Sequence, residues 1–436
     1  MTNQAIISRR RLAVTALALL GITYLWLAIA PATVDSKIVL ATAGGSPDWL
    51  LGPLRVLGAG YLSGASAGWA YFCGLLAAMA LYAVALLTAR EFSVRTLMTV
   101  VVAMHLLFLL APPLLSQDVL SYIAYARLPA EHGLNPYAHA PTAIPLDAVY
   151  PYAGSKSAVN VYGPFFTLGS YPLGKLSVPL AFWLLKFVAC MASLGTVWLV
   201  AKCARLLGHD PRLAIVAVGL SPITLVHIVG GAHNEALTML LVTLGIWFML
   251  REREALGGFA AAAAAGVKAS AVVPLPFMLI AARKRTRTLL AMLGAAVLAG
   301  CTALAAFGSD ALAGLNLISS NQNRTSSYSL PHRIVDLVDE LFGNVDRAAL
   351  ADLARVALLG LLVVAVCWLL WRTWQNNELW IANAGWATLG VLLASAWLVP
   401  WYLLWVLPFA ALANSRRLLA ATTVLSTYTL AIAIPF

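Results

Sequence analysis

Apolar runs of about twenty residues recur along the whole chain, and such a run crosses the hydrocarbon of a bilayer as one helix. The gaps between them hold either knots of arginine and lysine or stretches of Asp, Asn, Pro and Gly. The apolarity is continuous, unlike the short alternating segments of a membrane barrel. With 61% of the 436 residues hydrophobic and 10% charged, a water-soluble globule is excluded. The sequence reads as an all-α polytopic membrane protein, one integral domain over residues 1–436.

The net charge of +11 is not gathered into a patch of the kind that binds nucleic acid. It falls at Arg9 to Arg11, Arg90 and Arg95, Lys202 to Arg212, Arg251 and Arg253, Arg283 to Arg287, Arg372, and Arg416 with Arg417. By the positive-inside rule those loops face the cytoplasm. The segments 33–67, 116–174 and 308–350 are then outer loops, and they carry Asp35, Asp48, Asp118, Asp147, Asp310 and Asp336. The five cysteines have no CxxC spacing, so neither a disulfide framework nor a zinc site is expected.

An uncleaved signal anchor follows Arg11, and further spans are expected at roughly 68–89, 97–115, 178–200, 213–230, 235–250, 288–307, 351–371, 379–398, 400–413 and 418–435. That makes about 11 transmembrane helices. Residues 257–281 are flanked by basic loops on both sides, so one crossing would break the charge rule. They read as a re-entrant helical pair meeting near Lys268, with a single crossing as the alternative.

Asp118 follows an apolar span directly, where a carboxylate is costly unless it pairs or works. It is the candidate general base, able to take a proton from an attacking hydroxyl; capping the next helix is its structural role, and Asp35 and Asp48 are rival bases. Tyr122 and Arg127 lie downstream on the same helical stretch, and Asn135, Tyr137 and Tyr162 sit among turn-forming Gly and Pro. These suit sugar hydroxyls and rings. His233, Asn234 and Glu235 mark a tight outer turn that offers substrate hydrogen bonds or a helix cap, without the further ligands a metal needs. Lys268, amid Ala, Val and Pro, must find an anion or a carbonyl. Together with Arg324, His332 and Arg333 it forms a candidate phosphate-binding set. Trp401 and Tyr402 are candidate lining of a lipid or sugar groove, or interfacial anchors. Lys186 reads as a snorkelling or paired lysine.

The pieces SQDVLSYIAYARL with HGLNPY, NVYGPFF, GGAHNEAL, AGVKASAVVPLPF and PWYLLWVLPFA occur in that order from about residue 116 to 411. In this the chain resembles the GT-C glycosyltransferases, and among them the polyprenol-phosphate-mannose-dependent alpha-1,6-mannosyltransferases of bacterial cell envelopes. The resemblance implies a GT-C-like bundle whose outer loops form the active site. It implies a polyprenyl-phosphate sugar donor, a glycan or glycolipid acceptor, and inverting transfer on the outer face of the inner membrane, with Asp118 as base. No cofactor or metal is required by that scheme. The alternatives are another lipid-phosphate sugar (arabinofuranose, glucose or galactose), a transporter or flippase of lipid-linked glycans, and an envelope glycan polymerase or ligase without a monophosphate donor, using basic outer loops in place of a carboxylate base.

Overall fold

The computed structural model describes residues 3–33, 38–39, 46–57, 65–311, 326–343 and 345–432. Among these residues every regular element is helical, and the chain is an all-α membrane protein. Five helices are long and apolar enough to span a bilayer: Ser8–Ile29, Gly68–Glu91, Val178–Leu206, Arg285–Phe307 and Arg347–Gln375. A sixth span is available if Pro211–Gly219 and Ile223–Gly230, bent by 50° at their junction, count as one.

Several expected spans are thus shorter or broken, and proline is the main cause. The helix Val94–Leu110 stops ahead of Pro112 and Pro113, short of the expected residue 115. The expected span 213–230 breaks at Ser221 and Pro222, since proline supplies no N–H to the ladder. Two buried tyrosines satisfy carbonyls at that break: the hydroxyls of Tyr24 and Tyr82 donate to Leu220 O at 2.6 Å and Ala217 O at 2.8 Å. The expected span 400–413 is a 3₁₀ turn, Pro400–Trp405, followed by the short helix Leu407–Leu412. Helix Trp380–Ala394 likewise ends before the expected residue 398.

Residues 254–284 form a hairpin. Helix Glu254–Ala265 runs out to a break at Gly266 to Lys268, and Ala269–Val272 with Leu275–Ala281 run back. The return is fixed by Glu254, whose carboxylate accepts the backbone N–H of Arg283 at 2.8 Å and of Lys284 at 2.7 Å. Both basic flanks therefore lie at one end of the bundle and Lys268 lies at the tip.

The long 116–174 segment folds over the other end. Its helix Asp118–His132 is clamped by Arg127, whose Nε donates to both oxygens of Asp147 at 2.8 and 3.0 Å. Arg127 Nη1 also donates to the carbonyls of Gly174 and Leu176, and His132 Nε2 lies 2.7 Å from Asp147 Oδ2. Burial by itself raises the Asp147 carboxyl, but Arg127, His132 and the Val149 amide outweigh it and hold the group below the usual carboxylate range. A depressed carboxyl contributes stability above its unfolded pKa and loses it as pH falls through the folded one. The clamp should hold at neutral pH and weaken only in acid below the ordinary carboxylate range. Asp147→Asn leaves Arg127 without its anion and should cost about 3 kcal/mol. Melting curves against pH check this, with the variant's stability falling less steeply in acid than that of the wild type.

Candidate active site

Five separate stretches meet at this end of the bundle. Asp118 opens its helix, with its backbone N–H held by Ser116 Oγ at 3.1 Å. Its carboxylate is 28% exposed on one side, and on the other Oδ2 lies 3.4 Å from Nδ1 of the fully buried His233. The same nitrogen is 3.9 Å from Glu235 Oε2. Glu235 is fully buried at the first turn of helix Glu235–Leu250, where the helix dipole favours an anion, and its Oε1 is ion-paired with Lys268. Carboxylate, imidazole, carboxylate and ammonium thus follow one another, with His233 and Glu235 fully buried between the partly exposed Asp118 and Lys268.

Aromatic rings wall the cluster. Trp401 stacks on His233 with centroids 4.1 Å apart and an interplanar angle of 20°. Lys268 Nζ lies 4.8 Å from the Tyr402 ring, 5.6 Å from Tyr162 and 5.8 Å from Trp405. Tyr122, one turn after Asp118, is buried edge-on against Tyr162 at 4.9 Å and Phe166 at 5.0 Å. Its hydroxyl receives the Asn234 backbone N–H at 3.5 Å, which ties the acid helix to the His233 turn.

The hairpin tip is set by backbone pairing. Gly163 N donates to Val267 O at 3.0 Å and Phe165 N to Gly266 O at 2.9 Å. A Cβ on Gly163 would sit 2.2 Å from the Gly266 carbonyl oxygen, so only glycine permits this approach. Gly163→Ala should therefore push the tip, and Lys268 with it, away from Glu235. We expect a loss of about 2 kcal/mol and a reduced activity in the fraction that still folds. Thermal melting in detergent together with specific activity measures both.

The Asn234 carboxamide, both His233 ring nitrogens, Glu235 Oε2 and Trp405 Nε1 are buried and make no hydrogen bond within the described residues. Several of these unsatisfied atoms sit on the His233–Glu235 turn beside the accessible Asp118 carboxylate, where a hydroxyl-rich ligand would find partners. Burial raises the Asp118 carboxyl, while the adjoining His233 and then Lys268 lower it; the sum leaves it below its ordinary range. Among the described residues no three His, Cys, Asp or Glu side chains gather as metal ligands.

Of the residues singled out in the sequence, Asp118, Tyr122, Tyr162, His233, Asn234, Glu235, Lys268, Trp401 and Tyr402 come together here. Others do not. Arg127 is occupied by Asp147 and two carbonyls, as above. Asn135 Nδ2 donates to Phe307 O at 2.7 Å and to Asp310 Oδ2 at 3.0 Å, joining two loops. Tyr137 supports Tyr162 from behind, its hydroxyl donating to Tyr162 O at 2.7 Å. His332 and Arg333 lie on helix Leu330–Phe342 beside Asp336, at 3.5 and 3.7 Å, and among the described residues no ion pair joins them to the cluster. Asp48, a rival base, pairs with Arg55. Arg324 and Asp35 lie outside the described residues. Sequence reasoning missed Trp405 and the Gly163–Gly266 contact; the Gly-Pro after Tyr162 and the glycine two residues before Lys268 were the available signals.

Fold and site together define a membrane-embedded helical protein with a carboxylate–imidazole site at the end of its bundle. Residues 30–284 match the family model described as "Alpha-(1->6)-mannopyranosyltransferase, N-terminal domain", and residues 334–436 match "MptB C-terminal domain". The chain belongs to the alpha-(1->6)-mannopyranosyltransferase family. It is 30% identical over 375 residues to Alpha-(1->6)-mannopyranosyltransferase A of Mycobacterium tuberculosis (strain ATCC 25618 / H37Rv), covering 79% of this chain and 70% of that relative. A Corynebacterium glutamicum protein of the same name is 27% identical over 188 residues, 42% of this chain and 37% of the relative. No solved structure matches the chain.

Proposed function

We propose that this protein moves mannose from a polyprenyl monophosphate donor to a hydroxyl of an envelope glycan or glycolipid. The observation that carries the reading is the Asp118–His233–Glu235–Lys268 cluster in a chain of a mannosyltransferase family. A base and a cation on one aromatic-walled site are the two groups that a single displacement from a phosphate-linked sugar needs.

In this scheme Asp118 takes the proton of the acceptor hydroxyl as its oxygen attacks the anomeric carbon. The bond from that carbon to the phosphate oxygen breaks, and polyprenyl phosphate leaves. Transfer is inverting. Lys268 stabilises the negative charge growing on the leaving phosphate, and Glu235 holds the ammonium in place. His233, held flat by Trp401, orients the Asp118 carboxylate. Tyr162, Trp401 and Tyr402 give the sugar its apolar wall. The scheme draws its positive charge from the protein and uses no metal. His332 and Arg333, engaged with Asp336, are left out of it.

The membrane reading follows. The protein is a GT-C-type enzyme in the inner membrane, with the basic loops in the cytoplasm and the site on the outer face, where a lipid-linked donor is at hand. The short apolar helices complete about 11 crossings around the hairpin.

The test is donor choice. The purified protein in detergent is given an α-mannoside acceptor with either polyprenyl phosphate mannose or GDP-mannose. Transfer from the lipid alone supports the reading. Transfer from the nucleotide sugar, or from lipid-phosphate arabinofuranose, glucose or galactose in preference to mannose, would refute the donor assignment.

A further inference from the structure

Lys186 lies about two turns inside helix Val178–Leu206 and is fully buried, yet it takes no part in the scheme above. Its Nζ donates to the carbonyls of Ala111 at 2.7 Å and Gly230 at 2.9 Å, and to that of Pro112 at 3.5 Å. The rings of Phe182 and Trp183 lie 5.9 and 5.7 Å away. Three carbonyls match the three N–H bonds of an ammonium.

The position of those carbonyls is informative. Ala111 caps the C-terminus of helix Val94–Leu110, and Gly230 is the last residue of Ile223–Gly230. Helix C-termini present unsatisfied carbonyls with partial negative charge, and buried in a bundle they need a donor. One cation therefore closes two helix ends at once. From the first end the chain runs on to Asp118, and from the second to His233. Each run passes through a non-glycine residue in the left-handed region, Leu115 at φ 56° and Ala232 at φ 55°. Such backbone persists only where its surroundings hold it.

We propose that Lys186 is a positioning residue for the transfer site: it locks together the two helix ends from which Asp118 and His233 depart, and so maintains their 3.4 Å contact. This rests on the proposed reading of Asp118 and His233. A lysine that only stabilised the bundle would, when replaced, weaken the fold as a whole. A positioning lysine acts on two short segments and on turnover.

The experiment compares the full-length wild type with Lys186→Met, of similar volume and without donors, and with Lys186→Gln, which keeps two N–H bonds. Transfer kinetics and hydrogen–deuterium exchange are measured on each. For Lys186→Met we expect kcat to fall about a hundredfold, the cost of a misplaced reacting group. Donor KM should stay within about threefold. Exchange should rise in residues 112–118 and 230–235 and remain at wild-type level in the long helices. Lys186→Gln should recover part of the lost kcat, and it carries the same comparison if the methionine variant does not fold. Wild-type kcat with unchanged exchange in both segments would overturn the proposal, as would a rise in exchange spread over the whole protein. If the wild type transfers no sugar from any lipid phosphate, the proposed function fails, and exchange in those two segments alone decides whether Lys186 locks them.

Discussion

Asp118→Asn is expected to give a folded protein that binds donor normally and transfers sugar about a thousandfold more slowly than wild type. The carboxamide has the shape of the carboxylate and cannot take a proton at neutral pH. The substitution should not unfold the site, because Asp118 faces the open side and its backbone N–H is held by Ser116 rather than by its own side chain. The measurement is kcat at saturating donor and acceptor, with a melting curve to establish folding. Wild-type turnover in a folded Asp118→Asn would move the base elsewhere. Because its surroundings hold the Asp118 carboxyl below the ordinary range, the acid limb of the wild-type rate profile should also fall below it, and that limb should vanish in the variant.

The second large effect is expected at Lys268. Lys268→Met strips the fully buried Glu235 of its cation, and breaking a buried pair from one side costs about 3–5 kcal/mol. It also removes the positive charge offered to the leaving phosphate, so kcat/KM for the lipid donor should fall by about three orders of magnitude. Stability and activity can be separated by the double variant Lys268→Met with Glu235→Gln. Two neutral partners leave the pair without a buried charge, so most of the lost melting temperature should return while transfer stays as low as in Lys268→Met. If activity returned with stability, Lys268 would be a fold element and the phosphate would need another partner.

Much of this candidate cluster was legible in the sequence because membrane burial makes polar residues conspicuous. Asp118, the His233-Asn234-Glu235 turn and Lys268 stand out against apolar neighbours, and their cost in a bilayer demands partners. Each stood as a separate candidate; that they partner one another, His233 against Asp118 and Lys268 against Glu235, is a matter of three-dimensional approach. Charge sorting also signalled a re-entrant pair at 257–281, since both flanks are basic. Span lengths were less legible: hydropathy counts apolar residues and is blind to whether Pro112, Pro222 or Pro400 lets them continue as one helix. Arg127 and Asn135 show the converse limit. Their chemistry suits a sugar, but nothing local reveals that Asp147 and Phe307 already hold them. Lys186 reads in the sequence as a snorkelling or paired lysine; that it pairs, and with which groups, is hidden because its carbonyl partners belong to two distant helix ends.

The central claim is a single displacement of mannose at Asp118. It is tested most directly by the configuration of the product's new anomeric carbon, read by NMR after transfer by the purified protein from a lipid-phosphate mannose of known configuration. The scheme predicts inversion, since one attack on the side opposite the leaving phosphate leaves no other outcome. Retention, or no transfer from that donor, would contradict it.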